Sequence, residues 1–298
     1  MTVSTVRRIG TRTVSIGVHE DPDVTPAETR RNYPAARIGR EFIPPLKPGV
    51  NPRKVLDKIK EFAEKWSDGG VYVSYKPPPR EVRAGAWTDV HRGIGQWLAK
   101  HPEVAVIVHH EPEGGAGRLE GPEFARMFKQ ARDEIKDGWS GARVVYCAMA
   151  YQWGPSGDVM KNPAPWRGVE ADEYLCDVYS GKTFPTEFIL PKHPGYVAWY
   201  DQIVRPRLRN GETVAYGLAE RGFMGNDELR AKAIRRESAW LRGVFEKYEA
   251  SGDLLDLPPC AYLAWSSVGW ENEKGWLLHG DSAVAMRELL ADFDEHVR

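Results

Sequence analysis

The 298-residue sequence predicts an α/β fold, a (β/α)8 TIM barrel that forms a single domain over residues 1–298. Eight short apolar runs are rich in β-branched and aromatic residues, which is the composition of strands. Amphipathic stretches typical of helices lie between most of these runs, and such alternation predicts parallel strands joined by crossover helices. No linker, repeat or low-complexity tract divides the chain.

The predicted elements follow one another in order along the chain. The strands are the runs at 13–18, 36–42, 70–75, 103–109, 142–149, 173–179, 212–218 and 260–265. Helical patterns cover 51–66, 87–101, 121–137, 195–210, 227–250 and 281–297, with a weaker one at 24–35. The segment 152–172 is predicted to be mostly loop. An open doubly wound sheet is the alternative, but its glycine-rich fingerprint does not follow the first strand.

Composition narrows the possible functions. The chain has 41 basic and 42 acidic residues and a net charge of −1, which gives no electrostatic basis for binding nucleic acid. No apolar run approaches the ~20 residues of a membrane span. The first residues lack the apolar segment of a secretory signal, so we expect no signal peptide.

The three cysteines indicate free thiols in the core and no disulfide framework. Cys147, Cys176 and Cys260 each lie in an apolar, strand-like run, so we expect buried, reduced thiols. The chain has no CxxC or HExxH pair of the kind that binds metal. We therefore predict neither a metal site nor a cofactor.

In a barrel of this kind the functional site lies at the carboxyl ends of the strands. Polar or aromatic residues follow or end all eight predicted strands. They are His19, Glu20 and Asp21; Arg40 and Glu41; Lys76; His109, His110, Glu111 and Glu113; Tyr151, Gln152 and Trp153; Asp177 and Tyr179; Glu220 and Arg221; and Trp265, Ser266 and Ser267.

Two carboxylates in this set suggest a reaction. Glu111 follows the fourth strand and Glu220 the seventh, so they can face each other across the barrel mouth. Cleavage of a glycosidic bond uses such a pair: one carboxyl protonates the departing oxygen, and the other attacks the sugar or activates water. Tyr179 and Arg40 can hold the nucleophile, and Trp265 can stack against a sugar ring.

Each of these residues also has a purely structural interpretation. Glu111 can be a solvated loop carboxylate, and Glu220 can form an ordinary ion pair with Arg221. Glu113 competes with Glu111, but we expect it to point away because it follows Pro112. His109 and His110 are adjacent, so on a strand they lie on opposite faces and only one can line the mouth.

The motifs resemble those of known barrel glycoside hydrolases. "HHEPEGG", "DVYSG", "GLAERG" and "AYLAWSS", in this order, resemble the clan with catalytic glutamates on strands four and seven. The pair His110–Glu111 resembles the β-mannanase-like family 26. "HHEPEGG" departs from that family's pattern in its glycine-rich continuation, which leaves the sugar specificity open. The resemblance implies a retaining enzyme with Glu111 as acid/base and Glu220 as nucleophile.

The resemblance also assigns the neighbouring residues. It implies that His110 accompanies the acid/base, Tyr179 orients the nucleophile and Trp265 forms the sugar platform. We expect further substrate contacts from four residues at the strand ends, Arg40, Trp153, His19 and Asp177. The expected partner is a polysaccharide or cell-surface glycan.

Two other functions remain open. The first is a non-catalytic glycan-binding barrel, since domains similar to these enzymes occur in phage tail proteins. That resemblance implies assembly with other virion proteins, and a virion-associated location is an alternative to a cytoplasmic one. The second is a metal-dependent hydrolase that uses His19, His109 and His110, although adjacent histidines rarely ligate one metal from the same strand face.

Overall fold

The computed structural model describes residues 7–9, 12–19, 25–45, 47–49, 51–67, 69–114, 117–181, 183–265, 278 and 280–296. Its strands are β1 (Arg7–Ile9), β2 (Arg12–His19), β3 (Ile38–Phe42), β4 (Gly70–Tyr75), β5 (Val104–Val108), β6 (Val144–Met149), β7 (Glu173–Ser180), β8 (Tyr216–Phe223) and β9 (Ala261–Trp265). Strands β2 to β9 are parallel and pair in chain order, and β9 also pairs with β2. The eight strands therefore form a closed barrel, which confirms the predicted TIM fold.

Helices follow the strands on the outside of this barrel. They are α1 (Pro26–Asn32), α2 (Arg53–Lys65), α3 (Pro79–Arg83), α4 (Thr88–Leu98), α5 (Gly121–Gly138), α6 (Ala150–Trp153), α7 (Ala164–Arg167), α8 (Pro194–Trp199), α9 (Arg205–Arg209), α10 (Asp227–Ser251) and α11 (Gly280–His296). A π-helical turn, Tyr200–Val204, joins α8 to α9. Short 3-10 turns lie at Val159–Lys161, Leu190–Lys192 and Leu254–Asp256. Within the described ranges, none of the helices is long and apolar enough to cross a membrane.

Apolar side chains pack in two layers because successive residues of a strand point to opposite faces. One layer fills the barrel and contains Ile38, Tyr72, Ala105, Ile107, Val145, Cys147, Leu175, Ala219, Ala261 and Leu263. The other, larger layer lies between the strands and the helices. Burial on both faces explains why the strands appear in the sequence as nearly continuous apolar runs.

The predicted bounds of the seventh strand are wrong. The prediction covers 212–218, whereas β8 spans Tyr216–Phe223 and all eight of its residues are buried. Glu220 and Arg221 mark the end of an apolar run in the sequence, yet both lie within the strand. Arg221 is accommodated there because it forms a fully buried ion pair with Glu237 of α10, at 2.8 Å.

Candidate active site

The barrel mouth is lined by residues that continue the inward-facing rows of the strands. Beyond the interior layer these rows reach Phe42 on β3, Lys76 after β4, Met149 on β6 and Tyr179 on β7. All four side chains are partly exposed, in contrast to the fully buried layer beneath them. The mouth is therefore a partly exposed surface above a buried core, at the end where barrel proteins bind ligands.

Glu220 faces the inside of the mouth because β8 contains a bulge. Cys176 pairs with Leu218, but the next residue of β7, Asp177, pairs with Glu220. Ala219 is the extra residue, and the pairing of β8 with β9 shifts in the same region. Without the bulge, strict alternation would turn Glu220 toward the helices because Ala219 faces inward.

Two side chains hold the Glu220 carboxylate. Arg40 Nη1 lies 3.1 Å from Glu220 Oε1, and the Tyr179 hydroxyl donates to Glu220 Oε2. The same Arg40 guanidinium contacts both oxygens of Asp177, at 2.7 and 3.3 Å. Cys147 Sγ lies 3.3 Å from Asp177 Oδ2 and forms part of the same buried cluster.

The burial of this cluster changes the expected role of two residues. The sequence analysis expects Arg40 to hold the nucleophile and also assigns Arg40 and Asp177 to substrate contact, but their side chains have no exposed surface. They form the floor beneath Glu220, and Asp177 fixes Arg40 in the position from which it reaches Glu220. Their location favours support of the carboxylate over direct contact with a ligand.

Glu111 is placed at the mouth by a turn that bulky side chains rarely adopt. His109 and Glu111 have φ values of 57° and 49°, in the left-handed region that strains most residues other than glycine. His109 N donates to Tyr75 O at 2.8 Å, and Glu111 N donates to Cys147 O at 2.9 Å. The strained turn therefore bonds to both neighbouring strands, and the Glu111 side chain is half-buried.

The two histidines before Glu111 diverge. The His109 ring lies 6.5 Å from the ring of Phe124 on α5, and its Nε2 bonds to Gly117 O at 2.9 Å. The His110 ring packs edge-on against Phe42 in the mouth, with the ring centroids 5.0 Å apart. Burial lowers the pKa of both imidazoles, to about 4 for His109, so both are neutral at neutral pH.

The carboxyl groups of the mouth outnumber its cations. Burial, and then the charge of Asp177, raise the pKa of Glu111 to about 8. The same two causes raise the pKa of Glu220 well above its ordinary value. Arg40 and Lys76 oppose both shifts. Three carboxyl groups thus share two cations, an arrangement that favours protonation of a glutamate near neutral pH.

Hydrogen bonding differs between Glu111 and Glu220. Glu220 accepts from Tyr179 and contacts Arg40, and both interactions favour its ionised form. Among the described residues, nothing donates a hydrogen bond to the Glu111 carboxyl group. The site thus pairs a carboxyl group that two side chains hold with one that accepts no hydrogen bond from a described residue.

Glu113 and Trp153 lie in the buried layer between strands and helices and not in the mouth. Glu113 is buried and accepts from Tyr146 OH at 2.6 Å, Trp153 Nε1 at 3.1 Å and Met149 N at 3.2 Å. Tyr146 packs against Phe124 in the layer between strands and helices, so Glu113 points away from the mouth. Trp153, which the sequence analysis assigns to substrate binding, is fully buried and supports Glu113 instead.

His19 and Trp265 are adjacent at the mouth. They end β2 and β9 and pair in register. Their side chains, and residues 266–277 after β9, lie outside the described residues. In the described part of the chain, no group of three or more His, Cys, Asp or Glu side chains is placed to hold a metal ion.

Lys76, Phe42, Met149 and Cys147 complete the site but received no role in the sequence analysis. Lys76 stands at a predicted strand end, and inward alternation from Tyr72 would have placed it in the mouth. Cys147 appears in the sequence only as an apolar residue. Its contact with Asp177 depends on the pairing of β6 with β7, which no local pattern reveals.

Comparisons with solved structures identify similar barrels. A GH5_18 protein from Streptomyces cattleya in complex with GlcNAc matches with a TM-score of 0.61 and 14% identity, covering 94% of this chain and 80% of that one. The GH53 catalytic domain of Ignisphaera aggregans matches at 0.53 and 14%, covering 93% and 91%. The β-mannanase of the blue mussel Mytilus edulis matches at 0.51 and 10%, covering 94% and 93%.

No protein-family model matches the chain, and no curated protein matches it either. The resemblance to family 26 and the link to phage tails therefore stay predictions. At identities of 10–14% the structural likeness concerns the fold. The chain is a (β/α)8 barrel of the architecture seen in these glycoside hydrolase structures.

Proposed function

We propose that this protein is a glycoside hydrolase that cleaves a β-linked polysaccharide with retention of configuration. The observation that carries the proposal is the asymmetry between the two mouth carboxyls. Glu220 is held by Arg40 and Tyr179, which favour its ionised form, whereas the pKa of Glu111 is raised to about 8, which favours a proton that it can donate. The names of similar structures, among them a β-mannanase, support a glycan as substrate.

In the first step Glu220 Oε attacks the anomeric carbon as the bond to the leaving oxygen breaks. Glu111 transfers its proton to that oxygen, so the leaving sugar departs as a neutral alcohol. Arg40 and Tyr179 keep the attacking carboxylate aligned. The first step leaves a glycosyl ester on Glu220 and an ionised Glu111.

In the second step Glu111 acts as a base. Its carboxylate takes a proton from water, the water oxygen bonds to the anomeric carbon, and the ester bond to Glu220 breaks. Lys76 stabilises the ionised form of Glu111 that this step requires, because its charge lowers the pKa of Glu111. The cycle ends with both carboxyls in their original states.

The test is hydrolysis of a polysaccharide panel that includes mannans and cell-wall glycans. We expect Glu111→Gln to lower kcat by on the order of 10²–10⁴-fold. Glu220→Gln should lower it at least as much, because it removes the nucleophile. Glu120→Gln, an exposed acid on the same loop, is the matched control and should keep wild-type activity.

Two further measurements separate the roles. An aryl glycoside with an acidic leaving group needs little protonation, so Glu111→Gln should retain its first step while Glu220→Gln loses it. NMR of the first-formed sugar should show the anomeric configuration of the substrate. Inverted product would exclude the covalent step and leave Glu220 as a general base.

A non-catalytic glycan-binding barrel is the second candidate. One observation favours it: burial and Asp177 raise the pKa of Glu220, and a protonated Glu220 cannot attack a sugar. On this alternative, wild type and both glutamine variants bind glycans equally and hydrolyse none. A role in host recognition by a phage tail would belong to this candidate.

A further inference from the structure

A second concave surface lies on the outside of the barrel and reaches the amino-terminal ends of β8 and β9. It is a groove of about 570 Å³ between the α8–α9 segment, α10 and the 3-10 turn before β9. Tyr216, the first residue of β8, and Leu257, which precedes β9, form part of its lining. Its volume is within the range of small-molecule sites.

Aromatic side chains form the walls of this groove. Tyr200 from the π-helical turn and Trp240 from α10 are partly exposed, while Tyr196 and Tyr216 are buried at its base. Among the described residues, nothing accepts a hydrogen bond from the Trp240 indole N–H. A partly exposed indole with an available donor suits a ligand that has an apolar face and hydroxyl groups at its edge.

The charges of the residues that line the groove cancel. Arg205 pairs with Asp201 at 2.8 Å, and Lys247 pairs with Asp256 at 2.6 Å. These four are the charged groups that line the groove, so it has no net charge. A neutral groove does not favour nucleic acid or a phosphorylated ligand, whose binding depends on a cationic surface. The paired groups still offer donors and acceptors to hydroxyls.

The backbone of one wall is also irregular. Tyr200 and Asp201 lie on a π-helical turn, and such turns are rare and often occur at functional sites. Pro206 has no N–H to donate to the preceding turn, which explains why the regular helical bonding changes here. The widened turn carries one of the aromatic walls, Tyr200, and the acidic member of one charged pair, Asp201.

From these observations we propose that this groove, here called the basal groove, binds a neutral oligosaccharide segment separately from the catalytic mouth. The aromatic walls would take the apolar faces of the sugar rings, and the ion pairs would bond to hydroxyls. The inference goes beyond the proposed function, because it concerns binding at a site with no catalytic carboxyl pair.

Gly243 provides the test. It lies on α10 at the groove, and a Cβ atom added there meets nothing within 4 Å. Gly243→Phe adds an aromatic ring at the groove, and its Cβ atom displaces no neighbour. Gly243→Ala is the matched control, because it leaves the groove open and alanine favours a helix. Both variants should unfold at or above the wild-type temperature.

Binding of cellohexaose and mannohexaose is measured by calorimetry in the Glu220→Gln background, with an acidic hexagalacturonate as a charge control. We expect Gly243→Ala to bind as the parent does and Gly243→Phe to lose roughly tenfold or more of the affinity at one site. Hydrolysis of a short soluble substrate by otherwise wild-type Gly243→Phe should be unchanged if the chain is an enzyme. Failure of catalysis is thus distinguishable from failure of groove binding.

Several results would overturn the proposal. Equal binding by Gly243→Phe and its parent, or no binding of either neutral sugar, excludes the basal groove as a glycan site. Preference for the acidic sugar contradicts the neutral ligand. Self-association of the protein that Gly243→Phe abolishes, without any sugar binding, would make the groove a protein contact instead.

Discussion

Asp177 shows how one buried residue sets the charge of its neighbours. Its carboxylate fixes Arg40 and raises the pKa of both Glu111 and Glu220. Asp177→Asn keeps an oxygen that accepts from Arg40 but removes the negative charge. Because Glu111 must be protonated to act as an acid, activity should fall as pH rises through about 8 in the wild type. The substitution lowers the pKa of Glu111, so this alkaline limb of kcat/KM should move to lower pH.

The comparison with Asp177→Ala separates charge from support. Alanine also leaves the Arg40 guanidinium without its main buried partner, so we expect a loss of about 3–5 kcal/mol in the free energy of unfolding. Asp177→Asn should lower the free energy of unfolding clearly less than Asp177→Ala does. An unchanged pH profile in a folded Asp177→Asn variant would show that Asp177 does not control the protonation of Glu111.

At the scale of elements, Glu113 ties the loop after β5 to β6 and α6. Its carboxylate accepts from Tyr146, Trp153 and the backbone of Met149. Glu113→Ala leaves these buried donors unpaired, so we expect the free energy of unfolding in urea to fall by about 2–4 kcal/mol. Glu113→Gln keeps an acceptor oxygen and should lose less. Equal stability of all three proteins would refute this role.

The stability of the whole molecule should depend on pH in two opposing ways. Burial lowers the pKa of four histidines, His91, His109, His110 and His193. These remain neutral in the folded protein but gain protons when unfolded below pH about 6.5, so stability falls as the pH drops. Glu111 and Glu113, with pKa values raised to about 8 and about 7, retain protons that the unfolded chain releases above about 4.5. The contribution of these two glutamates to the free energy of unfolding therefore falls as the pH rises toward 8.

The effects of the histidines and of the glutamates on stability balance near pH 6.5, the ordinary pKa of histidine. Burial lowers the pKa of His193 to about 3, so this ring and the other buried imidazoles dominate the acid side. Well above pH about 6.5 the histidines no longer contribute a slope, and the glutamates with raised pKa values, Glu111, Glu113 and Glu220, reduce stability. Urea unfolding across pH should therefore show maximal stability near pH 6.5. Glu111→Gln should flatten the decline above this pH, and an unchanged decline would contradict the raised pKa of Glu111.

The sequence alone determined the fold class and the end of the barrel where the site lies. Strand composition and helical periodicity are local properties, and eight alternating units leave few ways to bury both faces of the strands. The same reasoning placed Glu111, His110 and Tyr179 at the mouth, because they follow or end apolar strands.

Only the tertiary structure decided how these residues act. The bulge that turns Glu220 inward arises from pairing between β7 and β8, and the burial of Arg40 and Asp177 depends on contacts across the barrel. The sequence analysis assigns Trp153 to the ligand because it follows the end of a predicted strand, but its indole N–H donates to Glu113. Strand pairing and burial join residues that are distant in the sequence, so no local pattern of residues contains them.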